Sequence, residues 1–336
     1  MPTKQKLIDI AILRTFAIVC VVFFHVYGMM YANHFPASKD IYASMYFRVV
    51  QCGLINIAMP LFLFISGYLF VYLLQKGKYS TFGNLLKNKV QRVLLPYFIF
   101  GYIMLITTGR GFNPQPLVWG AFWHLWFLPV LFWCFVISWL VRRYLFKLKL
   151  YQSLVLLTVL LAVSLFPKLS FKLLCINGLP IWSCWFYMGM FIFQYRNTVE
   201  HFFARFKFVY VCLAIYLFIQ IAYPTEYMDL HWYSLLSQCM GVLAVWYIIH
   251  NIHWENLTAT KYLEDFSNYS YGIYIFHNWI ALYLVSQTMQ HIFPLTNWAI
   301  SHTILFPLGL FIATLMISLG LSWVTLKTKF GKLLIG

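Results

Sequence analysis

Two ionisable residues sit where a plain membrane anchor would carry none. Arg14 and His25 both lie in the first long apolar run of the chain, which reads LRTFAIVCVVFFH. Ionisable side chains inside such runs are expensive unless paired or hydrated, and they mark substrate, ion or proton pathways. The two are eleven residues apart. At the helical repeat this is three turns plus about 20°, so both side chains project from one face. The rise between them is roughly 16 Å, about half the thickness of the hydrocarbon layer. One helix face therefore presents a cation toward one end and an imidazole near mid-depth. Plainer readings stand beside this one. Arg14 is only about two turns in and could snorkel to the headgroups, and His25 could bridge helices by a hydrogen bond.

Further chemistry-bearing residues recur along the chain. Lys87, Lys89 and Arg92 run into Leu94-Leu95-Pro96-Tyr97 and form a basic mouth at the start of an apolar run. Such a patch either anchors the cytoplasmic side or binds phosphate. His124-Leu125-Trp126-Phe127-Leu128-Pro129 places a histidine beside a Trp of the interfacial kind. His277 closes the run Tyr269-Ser270-Tyr271-Gly272-Ile273-Tyr274-Ile275-Phe276-His277 and falls inside an apolar span. Gly67, in Phe64-Ile65-Ser66-Gly67-Tyr68, permits close helix approach. His34, Asp40, Glu226, Asp229, His231, His291 and His302 fall in or beside outer loops, where most would be solvated.

The elements that must position these groups follow from hydrophobicity. Apolar residues make up 62% of the 336-residue chain and charged residues 10%, against about 45–50% and 25% in soluble domains. A bilayer core takes roughly 20 helical residues to cross. Runs of that order begin near Leu7, Val49, Val93, Leu125, Tyr151, Leu179, Phe208, Trp232, Tyr269 and Ser301. The expected fold is all-α: one polytopic integral membrane helix bundle over 1–336, with about ten transmembrane helices. The first run carries Arg14 and no small-residue cleavage site, so it reads as a retained helix rather than a signal peptide.

The net charge of +16 would point to nucleic acid in a soluble protein. Here the basic residues cluster between apolar runs, which excludes that reading. With the N-terminus inside, eighteen of the 24 Lys and Arg fall in inner segments and five in outer ones, Arg14 lying within a span. That bias places both termini in the cytoplasm. The seven Cys are odd in number and lie mostly within apolar runs, with no zinc-ligand spacing, so they read as packing residues and no metal is expected.

The ordered set of motifs resembles acyltransferase family 3, multi-pass membrane acyltransferases that modify surface glycans. Arg14 and His25 in LRTFAIVCVVFFH carry the first match. PLFLFISGYLF (60–70), KVQRVLLPY (89–97), HLWFLPVLF (124–132) and YSYGIYIFH (269–277) follow in the family's order. HLWFL is similar to the branch that holds enterobacterial-common-antigen O-acetyltransferase and intercellular adhesion protein C. Two positions depart from the pattern. Ala11 stands where the family often has an acid, the nearest here being Asp9. Lys89-Val-Gln-Arg92 stands for the usual Arg-x-x-Arg, keeping the charge but losing one bidentate fork.

The resemblance implies acetyl-CoA, or a related acyl-CoA, as cytoplasmic donor and a surface or lipid-linked glycan hydroxyl as outer acceptor. The setting is a bacterial cytoplasmic (inner) membrane. It implies His25 as general base, or as a transient acyl-imidazole, and Arg14, Lys89 and Arg92 as groups that hold phosphates or a thioester oxygen. His124 and Trp126 would bind the acceptor, and His277 would position the donor or His25. The other partners are membrane lipids and, in a homodimer, a second copy. An exporter or flippase would also place charges in the membrane, but no two-fold repeat of the kind many transporters have is visible. A non-catalytic scaffold would leave the shared face of Arg14 and His25 without a purpose. O-succinyl transfer to a poly-N-acetylhexosamine adhesin, and transfer to a sugar amine, share the enzyme class.

Overall fold

The structure is a computed structural model that describes residues 4–26, 56–119, 122–166, 170–222, 232–279 and 305–336. The expected starts of two apolar runs, Val49 and Ser301, lie outside the described residues, as do Cys52 and the outer-loop residues His34, Asp40, Glu226, Asp229, His231, His291 and His302. Among the described residues there is no strand. In a sequence this apolar, helices satisfy their own backbone, which is what a membrane demands.

In chain order the helices are α1 (Lys4–Phe24), α2 (Asn56–Gln75), α3 (Phe82–Lys89), α4 (Leu95–Thr107), α5 (Gln115–Val118), α6 (Phe127–Leu145), α7 (Leu150–Val163), α8 (Leu179–Gln194), α9 (Arg196–Phe206), α10 (Phe208–Ala222), α11 (Trp232–Asn251), α12 (Thr260–Ser267), α13 (Ser270–Phe276), α14 (Leu305–Lys327) and α15 (Lys329–Ile335). A π-helical turn, Val90–Leu94, joins α3 to α4. Six of the described helical stretches are long and apolar enough to cross a membrane, or seven if α9 and α10, bent by 79°, form one span. The run expected near Tyr151 appears as the 14-residue α7, shorter than a full crossing.

The chain forms two compact units. The first holds residues 1–59 and 207–328. Here α1 packs against α11, α12, α13 and α14. Most of its described apolar residues are buried, with Leu13, Ala17, Ile18 and Val22 fully enclosed, while Phe16, Val19 and Phe23 along one stripe are half-buried. Thr15 donates its hydroxyl to Leu263 O at 3.1 Å and so ties α1 to α12.

A second tie is stronger. The buried Asp9 carboxylate accepts a hydrogen bond from His250 Nδ1 at 2.7 Å, and Trp246 stacks on the imidazole at 5.8 Å between ring centroids. Removing the imidazole takes a short hydrogen bond from a buried carboxylate. His250→Ala is therefore expected to cost about 3 kcal/mol of stability, read as a lower melting temperature in detergent. Asp9→Asn in the same background should recover part of that loss, because a neutral amide costs less to bury than a carboxylate.

The second unit holds residues 60–206 and 329–336. Its centre is a cluster of aromatic rings. Phe70 contacts Phe135 at 5.7 Å and Phe186 at 5.8 Å, and Phe135 meets Phe186 edge-on at 5.0 Å. Helices α2 and α8 touch backbone to backbone at Gly67 and Gly189, so Gly67 does the packing work expected of it. The six described cysteines are buried, in keeping with their reading as small apolar residues.

Candidate functional site

Arg14 and His25 stand on one helix. α1 runs unbroken from Lys4 to Phe24 and passes into a π-helical turn at 25–26. Arg14 is half-buried, and among the described residues no carboxylate lies within ion-pair distance of it. Asp9, the acid nearest to it in sequence, is held by His250. A cation so placed is suited to an anion or a developing oxyanion brought in by a ligand.

His25 is buried and its Nδ1 lies 2.9 Å from Val21 O, one turn back on the same helix. A carbonyl only accepts, so Nδ1 carries the proton and, in the neutral ring, Nε2 carries the lone pair. His277 is fully buried in a second π-helical turn, 277–279, following α13. Its Nδ1 lies 3.0 Å from Ile273 O, again one turn back. Its Nε2 lies 3.2 Å from His25 Nδ1, with the rings nearly edge-to-face at 4.8 Å. Two histidines 252 positions apart in sequence thus meet inside the first unit.

Lys89, Arg92, His124 and Trp126 belong to the second unit. The basic mouth does not present its charges together. Lys89 is buried, with its ammonium 3.4 Å from the Phe135 ring centroid and 5.1 Å from that of Tyr79. Arg92 is exposed, as are Lys78 and Lys87. The reason is the π turn over Val90–Leu94. Its i→i+5 bonding takes more residues per turn than an α-helix, so a three-residue spacing no longer keeps two side chains on one face. Tyr79 lies in the connection before α3, and burial pushes its phenol up to about 12 against the pull of the Arg92 charge. It stays neutral at working pH, and its ring face remains available to the Lys89 ammonium.

His124 is buried in a 3-10 turn, Trp123–Trp126, just before α6. Trp126 is half-buried and its ring lies 4.9 Å from that of Trp182. The backbone around this cluster is strained. Trp123 has φ 44°, and Leu174 and Cys175 have φ 46° and 55°, the left-handed region that bulky residues avoid. The loop is held by Trp133, whose indole N–H donates to Leu174 O at 3.2 Å.

Sequence reasoning found Arg14, His25 and His277 from their place in apolar runs, but missed three things. The engagement of Asp9 by His250 had a faint signal, a lone acid near one end of the first span. The π turns at His25, Arg92 and His277 had no sequence signal apart from the functional residues they carry. Such turns are common at functional sites. The left-handed backbone at Trp123, Leu174 and Cys175 falls on residues that give no warning of it.

A family model described as "Acyltransferase domain" matches residues 7–325, nearly the whole chain and both units. No curated protein and no solved structure matches the chain.

Proposed function

Because the chain belongs to acyltransferase family 3, we propose that it moves an acetyl or related acyl group from cytoplasmic acyl-CoA to a hydroxyl of a surface or lipid-linked glycan on the outer side of a bacterial inner membrane. The reading is supported above all by α1. It carries a half-buried cation and a buried imidazole about 16 Å apart along one helix. A nucleotide is polyanionic and stays at a membrane face, whereas a pantetheine arm is long and mostly uncharged and threads into a bundle. A thioester held at depth is the form of donor that such spacing serves.

In this reading Arg92, Lys78 and Lys87, exposed cations of the second unit, would hold the donor's phosphates. Arg14 lies part-way along α1, where it would steady a phosphate or the thioester oxygen. The half-buried Trp126 beside Trp182 offers an aromatic face for a sugar, with the buried His124 next to it in the turn. In the transfer, His25 Nε2 takes the hydroxyl proton as the acceptor oxygen attacks the thioester carbonyl. A C–O bond forms, the C–S bond breaks, and the imidazolium returns its proton to the departing thiolate. O-acetyl transfer is the proposed form, with both termini in the cytoplasm.

The test is mass spectrometry of the surface glycan from cells with and without the protein. The expected result is an unchanged amount of glycan that has lost its acyl esters. Unexported glycan accumulating inside the cell would overturn the reading in favour of export. The mass of the lost group separates acetyl from succinyl.

A further inference from the structure

We infer that His277 is a positioning residue that fixes the tautomer and aim of His25. This rests on the reading of His25 as general base and assigns to a second residue the task of holding it ready. Three contacts define one proton arrangement. His25 Nδ1 is 2.9 Å from Val21 O, and His277 Nδ1 is 3.0 Å from Ile273 O. Each carbonyl accepts, so each Nδ1 carries hydrogen. Neutral His277 then has its lone pair on Nε2, the atom 3.2 Å from His25 Nδ1. That lone pair takes a share of the same Nδ1–H that reaches Val21 O. A protonated His277 would set two N–H groups against each other at this contact, so the pair is consistent only with His277 neutral.

The consequence falls on the far side of the His25 ring. With Nδ1 committed as a donor on two sides, its lone pair is confined to Nε2 and the ring is held against rotation. When Nε2 takes a proton, Nδ1–H becomes a stronger donor and the bond to His277 strengthens with it. His277 thus plays toward His25 the part that a buried carboxylate plays toward a catalytic imidazole, with a neutral acceptor in place of a charge. It does not carry the proton onward, because its own Nδ1–H is bound to Ile273 O. The backbone supports this arrangement, since both rings issue from π-helical turns, at 25–26 and 277–279. Such a turn re-aims a side chain relative to the regular helix before it.

The experiment compares His277→Leu and His277→Gln with the unaltered protein in proteoliposomes, using acetyl-CoA and the purified glycan acceptor. Leu keeps the bulk and removes the acceptor, while Gln offers an amide oxygen near the position of Nε2. His277→Leu is expected to lower kcat by about 100-fold, with KM for acetyl-CoA within about twofold. His277→Gln is expected to recover most of that loss. The acid limb of the pH–rate profile should move to lower pH in His277→Leu, because a bond that favours the imidazolium is gone. Arg14 on α1, the Asp9–His250 pair between α1 and α11, Lys261, Glu264 and Asp265 on α12, and Tyr274, whose ring lies 6.0 Å from that of His277, are common to all three proteins. The shift therefore reads the histidine pair.

An inserted His277→Leu protein with unaltered kcat and acid limb overturns the inference. So does a loss of rate with an unmoved acid limb and no recovery in His277→Gln, which would make His277 a packing residue. If His277→Leu does not fold, the acid limb of His277→Gln alone decides: it should stay close to that of the unaltered protein, and a large displacement overturns the inference. His25→Ala keeps the two levels apart. If it remains active, the general-base reading fails; if it is inactive while His277 proves indifferent, only the positioning role fails.

Discussion

A His25→Ala protein that inserts and folds is expected to lose acyl transfer by about 10³-fold, with KM for acyl-CoA little changed. The size follows from the two tasks that fall on one nitrogen. His25 Nε2 must take a proton from a hydroxyl that does not ionise near pH 7, then give it to the leaving thiolate. Alanine does neither, and a buried position gives water little chance to substitute. KM is expected to hold because the residues proposed for the nucleotide phosphates, Lys78, Lys87 and Arg92, are exposed residues of the other unit. The structural cost is modest beside the catalytic one. The change removes the contacts of Nδ1 with Val21 O and His277 Nε2 and an edge-on contact with Phe24 at 4.9 Å, about 1 kcal/mol for each hydrogen bond. Arg14→Ala should behave differently. It removes a charge that steadies donor and oxyanion alike, so both KM and kcat should suffer. The measurement is steady-state transfer of labelled acetyl groups in proteoliposomes, with melting temperature as the check on folding. Full activity in His25→Ala would end the mechanism.

What could be read in the sequence was what a bilayer forces to be visible. Hydrocarbon admits few charges, so Arg14, His25 and His277 stood out against their apolar neighbours. The family followed from the order of five short motifs, and the family match over residues 7–325 supports that reading. What the sequence hid was register and partnership. A three-residue spacing joins Lys89 to Arg92 in an α-helix, but the π turn at Val90–Leu94 parts them, one into an aromatic cluster and one into the open. No periodicity announces such a turn, because it adds one residue to a helix without changing its composition. His25 and His277 were each visible, yet nothing in a single chain says that two residues 252 positions apart share a hydrogen bond. Asp9 shows the same limit. It was noted only as the acid nearest to Ala11, and the structure gives its carboxylate to His250.

The crossing of α2 and α8 should tolerate almost no added volume, and this is expected to be the largest stability effect in the second unit. A Cβ placed on Gly67 would lie 1.9 Å from Phe186 O, and one on Gly189 would lie 1.9 Å from Phe64 O. Both obstacles are backbone atoms, so no side chain can swing aside. Each helix uses its glycine to bring its backbone onto the carbonyl of the other, the close approach that small residues permit between membrane helices. Gly67→Ala and Gly189→Ala must therefore each push the two backbones apart by more than 1 Å, roughly the gap to ordinary contact. That also opens the packed rings around Phe186 and Phe64, and the expected cost is about 3 kcal/mol for each substitution. Gly320→Ala in α14 is the control, because a Cβ there meets nothing within 4 Å. It should be neutral or raise the melting temperature slightly, since alanine loses less backbone freedom than glycine in a helix. The double substitution discriminates further. Once the first added methyl has parted the helices, the second finds room already made, so the two losses should sum to less than their separate values. Fully additive losses, or melting temperatures for Gly67→Ala and Gly189→Ala that match Gly320→Ala, would show that α2 and α8 do not cross this closely. Transfer activity should fall with the folded fraction, while the acid limb of the pH profile stays where it is. That unmoved limb separates a broken scaffold from a disturbed His25.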